Sequence, residues 1–319
     1  MFNYQKHEIV ELAKKNSFKS ETLEKVLRLV DVLDFINKTD NLSPYLVLKG
    51  GTAINFTIFN LPRLSVDIDL DFSFNGSKEQ MLKIRKEIGV IIKRYMEINN
   101  YTLSNQTKLK YALDSFVFNY KNSFGNKDNL KIEINYMNRT HIYETIIRNV
   151  SISFLTSFKT LTLNKYELYG SKIKALLERC TIRDVYDVYY MLKENIFNEK
   201  EFDLVKKCVI FYMVIGNTTQ RLFSEVLLDF ETKIKVYMVN KIPQYLHSTL
   251  KKDDTFSMIN ATNIVTTFIS NLIKLNNSEK KFIDEFENGN YKPELLFDNQ
   301  DIINRIKTHP MALWKISNK

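Results

Sequence analysis

Hydrophobic positions near the start of the chain repeat at helical spacing. Between residues 22 and 36 they recur at steps of three and four, which is typical of a helix that buries one face. The pattern predicts a packing helix that serves as scaffold. Its apolar positions are Leu23, Val26, Leu27, Val30, Leu33 and Ile36.

The pattern changes to short strands after this helix. Tyr45 to Lys49 predicts a buried strand, Gly50-Gly51 a tight turn and Thr52 to Asn60 a short helix. From Val66 to Phe72 apolar and polar residues alternate strictly, so one face of this predicted strand is apolar and the other is acidic. The acidic face carries Asp67, Asp69 and Asp71.

Further along, residues 78–98 predict a helix, and two β-rich runs follow at Tyr111 to Tyr120 and Leu130 to Tyr136. The polar, Gly-containing segment between these runs indicates a hairpin, and Glu133 lies on the polar face of the second run. Two weaker β segments are predicted near 150–163. Beyond them, six helices are predicted over residues 165–179, 183–194, 202–215, 219–239, 257–275 and 278–287.

The switch from mixed to all-helical patterning predicts two domains. A chain of 319 residues is long enough for both, since domains usually run to about 100–200 residues. We expect an α/β (α+β) domain with a short mixed sheet over 1–164. An all-helical domain over 165–319 is expected to close one side of the active cleft.

Composition narrows the class of protein. The longest uninterrupted apolar run, Cys208 to Ile215, is far too short to span a bilayer, and no signal-like stretch opens the chain. We therefore expect a cytoplasmic protein without a membrane partner.

The two cysteines predict buried thiols rather than a disulfide framework. A net charge of +9 favours polyanionic partners such as RNA.

The residues with the clearest chemistry are Asp67 and Asp69. Their spacing on a strand points both carboxylates the same way, so they can share hard cations, and Mg²⁺ prefers such oxygen ligands. Two Mg²⁺ ions can stabilise attacking and leaving oxygens in phosphoryl chemistry. Glu133 is the candidate for a third carboxylate, as a ligand or a base, and Asp71 competes with it.

The glycine turn upstream strengthens this interpretation. Gly50, Gly51 and Thr52 occupy the predicted turn from strand to helix, where backbone N–H groups can cradle a triphosphate. Alone, the turn is more often a tight connection, and the aspartates are more often a solvated strand face. Together, and in this order, they have the geometry that brings phosphates to metal.

The combination resembles the nucleotidyltransferase motif, a hydrophobic residue and Gly-Gly or Gly-Ser followed by Asp-hydrophobic-Asp. The stretch from Leu48 to Phe72 more closely resembles the signature of the AbiEii/AbiGii toxin family, in which Gly-Gly-Thr-Ala-Leu precedes Arg-x-Ser-x-Asp-Ile-Asp-Leu. Ile54 stands where leucine is usual. The matching positions of the second element are Arg63, Ser65, Asp67, Ile68, Asp69 and Leu70.

A second block, Tyr166 to Leu192, resembles another signature of the same family. Its physical interpretation agrees, because Lys172 can neutralise a triphosphate and Arg183 can grip phosphate. Alternatively, Arg183 and Asp187 pair on a helix surface, which is worth about 0.2–0.5 kcal/mol. The matching positions of the block are Lys172, Ala175, Arg179, Arg183, Asp184 and Asp187.

The resemblance implies an Mg²⁺-dependent toxin that transfers NMP from an NTP to an acceptor. It also implies a toxin–antitoxin or phage-defence system with a separately encoded antitoxin. Some relatives modify the tRNA 3′ end. The residues expected to be catalytic are Asp67, Asp69, Glu133, Lys172 and Asp184. Those expected to bind nucleotide are Gly50, Gly51, Thr52, Arg63, Ser65, Lys172, Arg183 and Asp187, with Asp187 structural or substrate-orienting.

Two alternatives from other classes remain open. The first is a non-catalytic protein that binds a nucleotide or RNA on the same fold, against which the intact Asp67 and Asp69 pair speaks. The second is a housekeeping or antibiotic-modifying nucleotidyltransferase, which the match at Arg63 to Leu70 disfavours. A toxin should arrest growth on expression, whereas a housekeeping enzyme should not.

Overall fold

The computed structural model describes residues 3–150, 152, 154–155, 157–216, 223–238 and 242–318. The chain divides into two compact units, and neither is a single continuous stretch. Each takes a short segment from the other's part of the chain. Unit 1 comprises Met1–Arg139, Thr145–Leu163 and His247–Asp254. Unit 2 comprises Thr140–Glu144, Asn164–Leu246 and Thr255–Lys319.

Unit 1 is built on a mixed sheet, as the sequence predicted. Among the described residues the sheet has eight strands: β1 Leu46–Lys49, β2 Ile68–Phe72, β3 Thr102–Leu103, β4 Lys108–Lys110, β5 Leu113–Lys121, β6 Lys127–Asn135, β7 Ile146–Val150 and β8 Phe158–Thr162. Their order is β3-β5-β6-β2-β1-β8-β7, and β4 also pairs with β5. The β1–β8 and β2–β6 pairs are parallel, whereas the other pairs are antiparallel.

Helices of unit 1 cover the apolar side of this sheet. All six apolar residues that predicted the scaffold helix are buried in α2, which confirms that prediction. In α4, a Cβ on Gly89 would lie 3.8 Å from the ring of Phe116 in β5, so α4 packs on the sheet face that Phe116 occupies. The helices are α1 Lys6–Lys15, α2 Ser20–Lys38, α3 Gly50–Ala53 and α4 Lys78–Ile98.

Two predicted elements near the glycine turn differ from the structure. The predicted helix from Thr52 to Asn60 begins earlier, at Gly50, and after one α-helical turn continues as a π-helix over Ile54–Ile58. The strand predicted from Val66 begins only at Ile68. The physical reason is that the carbonyl of Asp67 accepts a hydrogen bond from the Thr52 side chain.

The other predicted strands are largely confirmed. β5 and β6 form the expected hairpin, in register from Leu113 and Asn135 to Lys121 and Lys127. The turn between them is shorter than predicted because Asn122 closes it, accepting backbone hydrogen bonds on its side chain from Phe124 and Asn126. Near 150–163 only β8 lies where predicted, whereas β7 precedes the predicted range; residues 151, 153 and 156 lie outside the described residues.

Unit 2 is helical throughout its described elements. Its helices are α5 Lys165–Arg179, α6 Ile182–Lys193, α7 Glu199–Gly216, α8 Phe223–Ile234, α9 Gln244–His247, α10 Met258–Leu272, α11 Asn277–Glu287, α12 Gln300–Ile306 and α13 Pro310–Ser317. Short 3₁₀ turns occur at Lys235–Tyr237 and Pro293–Leu295. The predicted helix 219–239 ends early, at Ile234, and its residues 219–222 and 239 lie outside the described residues.

Close helix packing forms the centre of unit 2. α5 meets α7 where Gly170 faces Cys208, since a Cβ on Gly170 would lie only 2.4 Å from the Cβ of Cys208. Cys180 and Cys208 are both buried free thiols, as expected. Within the described part of the chain, no helix combines the length and apolar character needed to cross a membrane.

Candidate active site

The two aspartates predicted to bind metal lie at the middle of the unit 1 sheet. Asp69 is in β2, in register with Lys49 of β1 on one side and with Glu133 of β6 on the other. Residues in register on paired strands project to the same face of a sheet. Lys49, Asp69 and Glu133 therefore form one row on the polar face, and Asp67 directly precedes β2.

The glycine turn lies against the carboxylate of Asp69. Gly50 has a φ of 68°, in the left-handed region, where it joins β1 to α3. A Cβ on Gly50 would lie 2.5 Å from Oδ2 of Asp69. Glycine suits this position because it adopts the left-handed conformation without strain and leaves room for the carboxylate. The structure thus places the turn and the acidic strand at one site.

Three further predicted nucleotide-binding residues hold the segment that leads into Asp67. The buried Thr52 hydroxyl bonds the carbonyl of Asp67 and lies 2.9 Å from the Ser65 hydroxyl. Arg63 is also buried, and its Nη1 donates to the carbonyl of Leu64 at 2.9 Å. These contacts fix backbone, and direct contact with a nucleotide stays a prediction for all three side chains.

The two candidates for a third carboxylate have different surroundings. Asp71 is only 2% exposed, and its Oδ1 lies 2.5 Å from Nζ of Lys49. Glu133 is more accessible, with 25% of its side chain exposed, and Oε1 lies 2.9 Å from Nζ of Lys131. The Asp71 carboxylate is therefore buried in an ion pair with Lys49. The Glu133 carboxylate is accessible to solvent and lies in the row that contains Asp69.

The carboxylates on the polar face of the sheet shift the pKa of the Lys131 amine. Burial by itself lowers the pKa of the Lys131 amine. The hydrogen bond to Glu133 and the charges of Glu133, Asp67 and Asp69 outweigh that effect and raise the pKa above its usual value. The three carboxylates therefore act together on one neighbouring cation, which is the electrostatic environment that a divalent cation would meet.

The donor set fits Mg²⁺. Magnesium is usually held by one or two protein carboxylates, since it keeps several waters and takes substrate phosphates as further ligands. Among the described residues, no group of three or more His, Cys, Asp or Glu side chains is arranged to hold a metal ion. Asp67 and Asp69 supply two carboxylates, the number that such a cation takes from protein.

The predicted site residues of the second block form a buried charge network in unit 2. Nζ of Lys172 lies 3.0 Å from Asp184 and 2.9 Å from Asp187. The guanidinium of Arg179 donates twice to Asp184, at 2.8 and 2.9 Å, and Thr181 donates to it at 2.6 Å. Lys172 is thus held by two carboxylates, and Asp184 joins α5 to the start of α6.

This network sets the charge state of its central carboxylate. Asp184 is fully buried, which by itself raises the pKa of its carboxyl, but Lys172 and Arg179 outweigh burial and hold that pKa well below its usual range. Asp187 is also buried, and its carboxylate is paired with Lys172. The Arg183 guanidinium lies 5.7 Å from the centre of the Tyr245 ring.

Sequence reasoning missed two lysines of the polar face, Lys49 and Lys131. Lys49 directly precedes the Gly50-Gly51 turn, and that adjacency was a usable signal. Lys131 had none, because its position beside Asp67 and Asp69 depends on the register between β6 and β2. In unit 2, Arg179 was matched to the family block, but its grip on Asp184 was not foreseen.

Comparison with known proteins identifies the family. The model of the family described as "Nucleotidyl transferase AbiEii toxin, Type IV TA system" matches residues 34–242, more than half of the chain. No curated protein matches the sequence. The fold is similar to that of MenT4, a nucleotidyltransferase toxin from Mycobacterium tuberculosis H37Rv, with a TM-score of 0.62 and 12% sequence identity. That match covers 98% of this chain and 99% of the MenT4 chain.

The matched range contains both motif blocks. It includes the Gly50 turn with the acidic strand of unit 1, and the Lys172 to Asp187 network of unit 2. The resemblance seen in the sequence is thereby confirmed, together with the mixed α/β fold. The chain belongs to the AbiEii family of nucleotidyltransferase toxins from type IV toxin–antitoxin systems.

Proposed function

We propose that this nucleotidyltransferase transfers NMP from an NTP to the 3′ hydroxyl of an RNA acceptor, with tRNA as the natural substrate. The acceptor oxygen forms a bond to the α-phosphorus, the bond to the β-phosphate oxygen breaks, and pyrophosphate leaves. The observation that carries the proposal is the row of Lys49, Asp69 and Glu133, with the Gly50 turn packed against Asp69.

Mg²⁺ is the cofactor we propose, with Asp67 and Asp69 as its protein ligands. Two bound ions would polarise the α-phosphate and stabilise the charge of the leaving pyrophosphate. The contribution of the chain is to fix the carboxylates in place. The Thr52 hydroxyl holds the backbone of Asp67, and the Gly50 turn keeps the space beside Asp69 free of side chains.

Glu133 is our choice for the third carboxylate. It is in register with Asp69 and accessible, whereas Asp71 is buried against Lys49. At this position Glu133 can serve as a further ligand or accept the proton of the acceptor hydroxyl. The backbone of Gly50 and Gly51 is proposed to receive the triphosphate.

The second block acts by positioning in this proposal. Lys172 and Asp184 were expected to be catalytic, but their buried ion pairs support a role in holding α5 and α6 in one arrangement. The half-buried Arg183 remains a candidate for a phosphate contact, since its guanidinium is a fork that suits phosphate oxygens. Asp187 orients Lys172.

The proposed partners follow from the same chemistry. Family membership implies an antitoxin and an NTP substrate, and the charge of +9 supports an RNA acceptor. We further propose that the protein acts in the cytoplasm, where both NTP and tRNA are found, and that its toxicity serves in defence against phage.

The test is a transfer assay with full-length protein, Mg²⁺, each labelled NTP in turn and total tRNA. Asp67→Ala with Asp69→Ala should abolish labelling of RNA and leave the circular dichroism spectrum unchanged, because both side chains are partly exposed and neither belongs to the apolar core. The matched control is Asp40→Ala, an exposed aspartate in the turn before β1, which should label like wild type. Absence of RNA label with every NTP would refute the RNA acceptor, and labelling by the double variant would refute the site.

A further inference from the structure

A groove runs along the sheet of unit 1 beside the carboxylate row, outside both motif blocks. It has a volume of about 480 Å³. β4 supplies Lys108 and Lys110 on one side, β6 supplies Lys131 and Glu133 on the other, and Ser115 of β5 lies between them. Three of these five residues are lysines, so the groove is basic except where Glu133 joins it to the candidate active site.

Strand register makes the groove and the active site one continuous surface. Lys108 is in register with Ser115, Ser115 with Glu133, and Glu133 with Asp69. All four side chains therefore project to the same face of the sheet. At a strand spacing of about 4.8 Å, the three steps place the backbone of Lys108 about 14 Å from that of Asp69.

The charge of this groove is directed at solvent. Lys108 and Lys110 are exposed, and among the described residues no carboxylate lies within ion-pair range of either. Lys131, by contrast, is paired with Glu133. A lysine without an acidic partner offers its full charge to a ligand, and a groove lined by such residues tracks a phosphate backbone.

We propose that this acceptor groove, defined by Lys108, Lys110 and Ser115, binds backbone phosphates of a single-stranded RNA whose 3′ end reaches Asp69. The proposal rests on the proposed transfer to RNA and names the surface that holds the acceptor. Lys108 and Lys110 contact phosphates upstream of the reacting 3′ hydroxyl. The NTP triphosphate is a poorer match, since Lys108 lies three strands from Asp69 and the Gly50 turn.

Charge reversal in the groove, Lys108→Glu with Lys110→Glu in the full-length chain, tests the proposal. The probe is a short fluorescein-labelled single-stranded RNA, and binding is measured by anisotropy without NTP or Mg²⁺ over a range of salt concentrations. The matched control is Lys83→Glu with Lys86→Glu, the same change on exposed residues of α4. α4 packs on the Phe116 face, opposite the groove.

RNA affinity should fall at least about tenfold in the groove variant and change little in the control. Loss of two phosphate contacts should also reduce the salt dependence, by about 1.4 in the slope of log K against log salt. NTP affinity, measured by calorimetry, should match wild type in both variants. Loss of NTP affinity in the groove variant would assign the groove to the triphosphate and overturn the proposal.

Equal RNA affinity in the groove variant and wild type, or an equal loss in both variants, would also overturn it. The readout separates this failure from failure of the proposed function. If wild type binds RNA through the groove but transfers no nucleotide to it, the proposed RNA-binding groove is supported and the proposed transfer reaction is refuted. If the groove variant labels RNA as well as wild type does at limiting RNA, the proposed transfer reaction is supported and the proposed RNA-binding groove is refuted.

Discussion

Gly50→Ala tests the link between the glycine turn and the acidic strand. The new Cβ would lie 2.5 Å from Oδ2 of Asp69, whereas ordinary contact begins at about 3.4 Å. The carboxylate or the turn must therefore shift by about 0.9 Å. A misplacement of about 1 Å in a catalytic group can lower a rate about 10²-fold, which corresponds to about 2.7 kcal/mol.

The same substitution also strains the backbone, and this cost must be separated from displacement of the carboxylate. Gly50 has a φ of 68°, and alanine in the left-handed region costs roughly 1–2 kcal/mol. Gly125→Ala is the matched control, because Gly125 has a φ of 90° and its added Cβ would meet only the end of the Lys121 side chain, at 4.0 Å.

Both variants should therefore lose stability, whereas only Gly50→Ala should lose activity about 10²-fold. Urea unfolding measures the first quantity and the initial rate of nucleotide transfer at saturating Mg²⁺ measures the second. Equal activity of the two variants would refute the reasoning, because it would show that the turn does not constrain Asp69. If Gly50→Ala failed to fold, the close approach of Gly50 to Asp69 would be shown to be required for folding.

Three predictions concern unit 2. Asp184→Asn should cost about 3–5 kcal/mol in urea unfolding, because it breaks a buried charge network, whereas Asp203→Asn, at an aspartate exposed to solvent, should cost under about 1 kcal/mol. Because the pKa of Asp184 is lowered on folding, wild type should keep its stability advantage over Asp184→Asn above about pH 3.9 and lose it as pH falls further; a constant advantage would contradict this. Glu167→Gln should weaken the bonds that Glu167 accepts from the N–H groups of Ile142 and Tyr143, so these amides should exchange hydrogen faster; unchanged exchange would rule out that anchoring role.

Much of the fold was predictable because the determinants are local. The apolar period of α2 and the alternation of β2 follow from side chains that are near neighbours in sequence, and both gave the correct buried face. The helical periods of α5 and α6 were equally readable. The β7 strand and the π-helix over Ile54–Ile58 were not, since they depend on pairing and hydrogen bonds that periodicity does not encode.

The candidate site was likewise only partly predictable from the sequence. Asp67, Asp69 and the Gly50 turn were predicted from their order along the chain and from the family signature. The period of two placed Asp69 on the polar face, whereas Asp67 precedes β2, which begins at Ile68. Our preference for Glu133 over Asp71 needed the structure, since Lys49 reaches Asp71 only through the antiparallel register of β1 with β2.

The ion pairs of unit 2 show what the sequence could not predict. The match to the family signature singled out Lys172 and Asp184 as functional residues and Asp187 as a structural or substrate-orienting one. That Lys172 lies buried between the two aspartates was decided by the packing of α5 against α6. Sequence alone determined which residues carry charge and which face of an element they occupy, whereas tertiary structure decided their partners, because ion pairing depends on distances between segments that only the folded chain brings together.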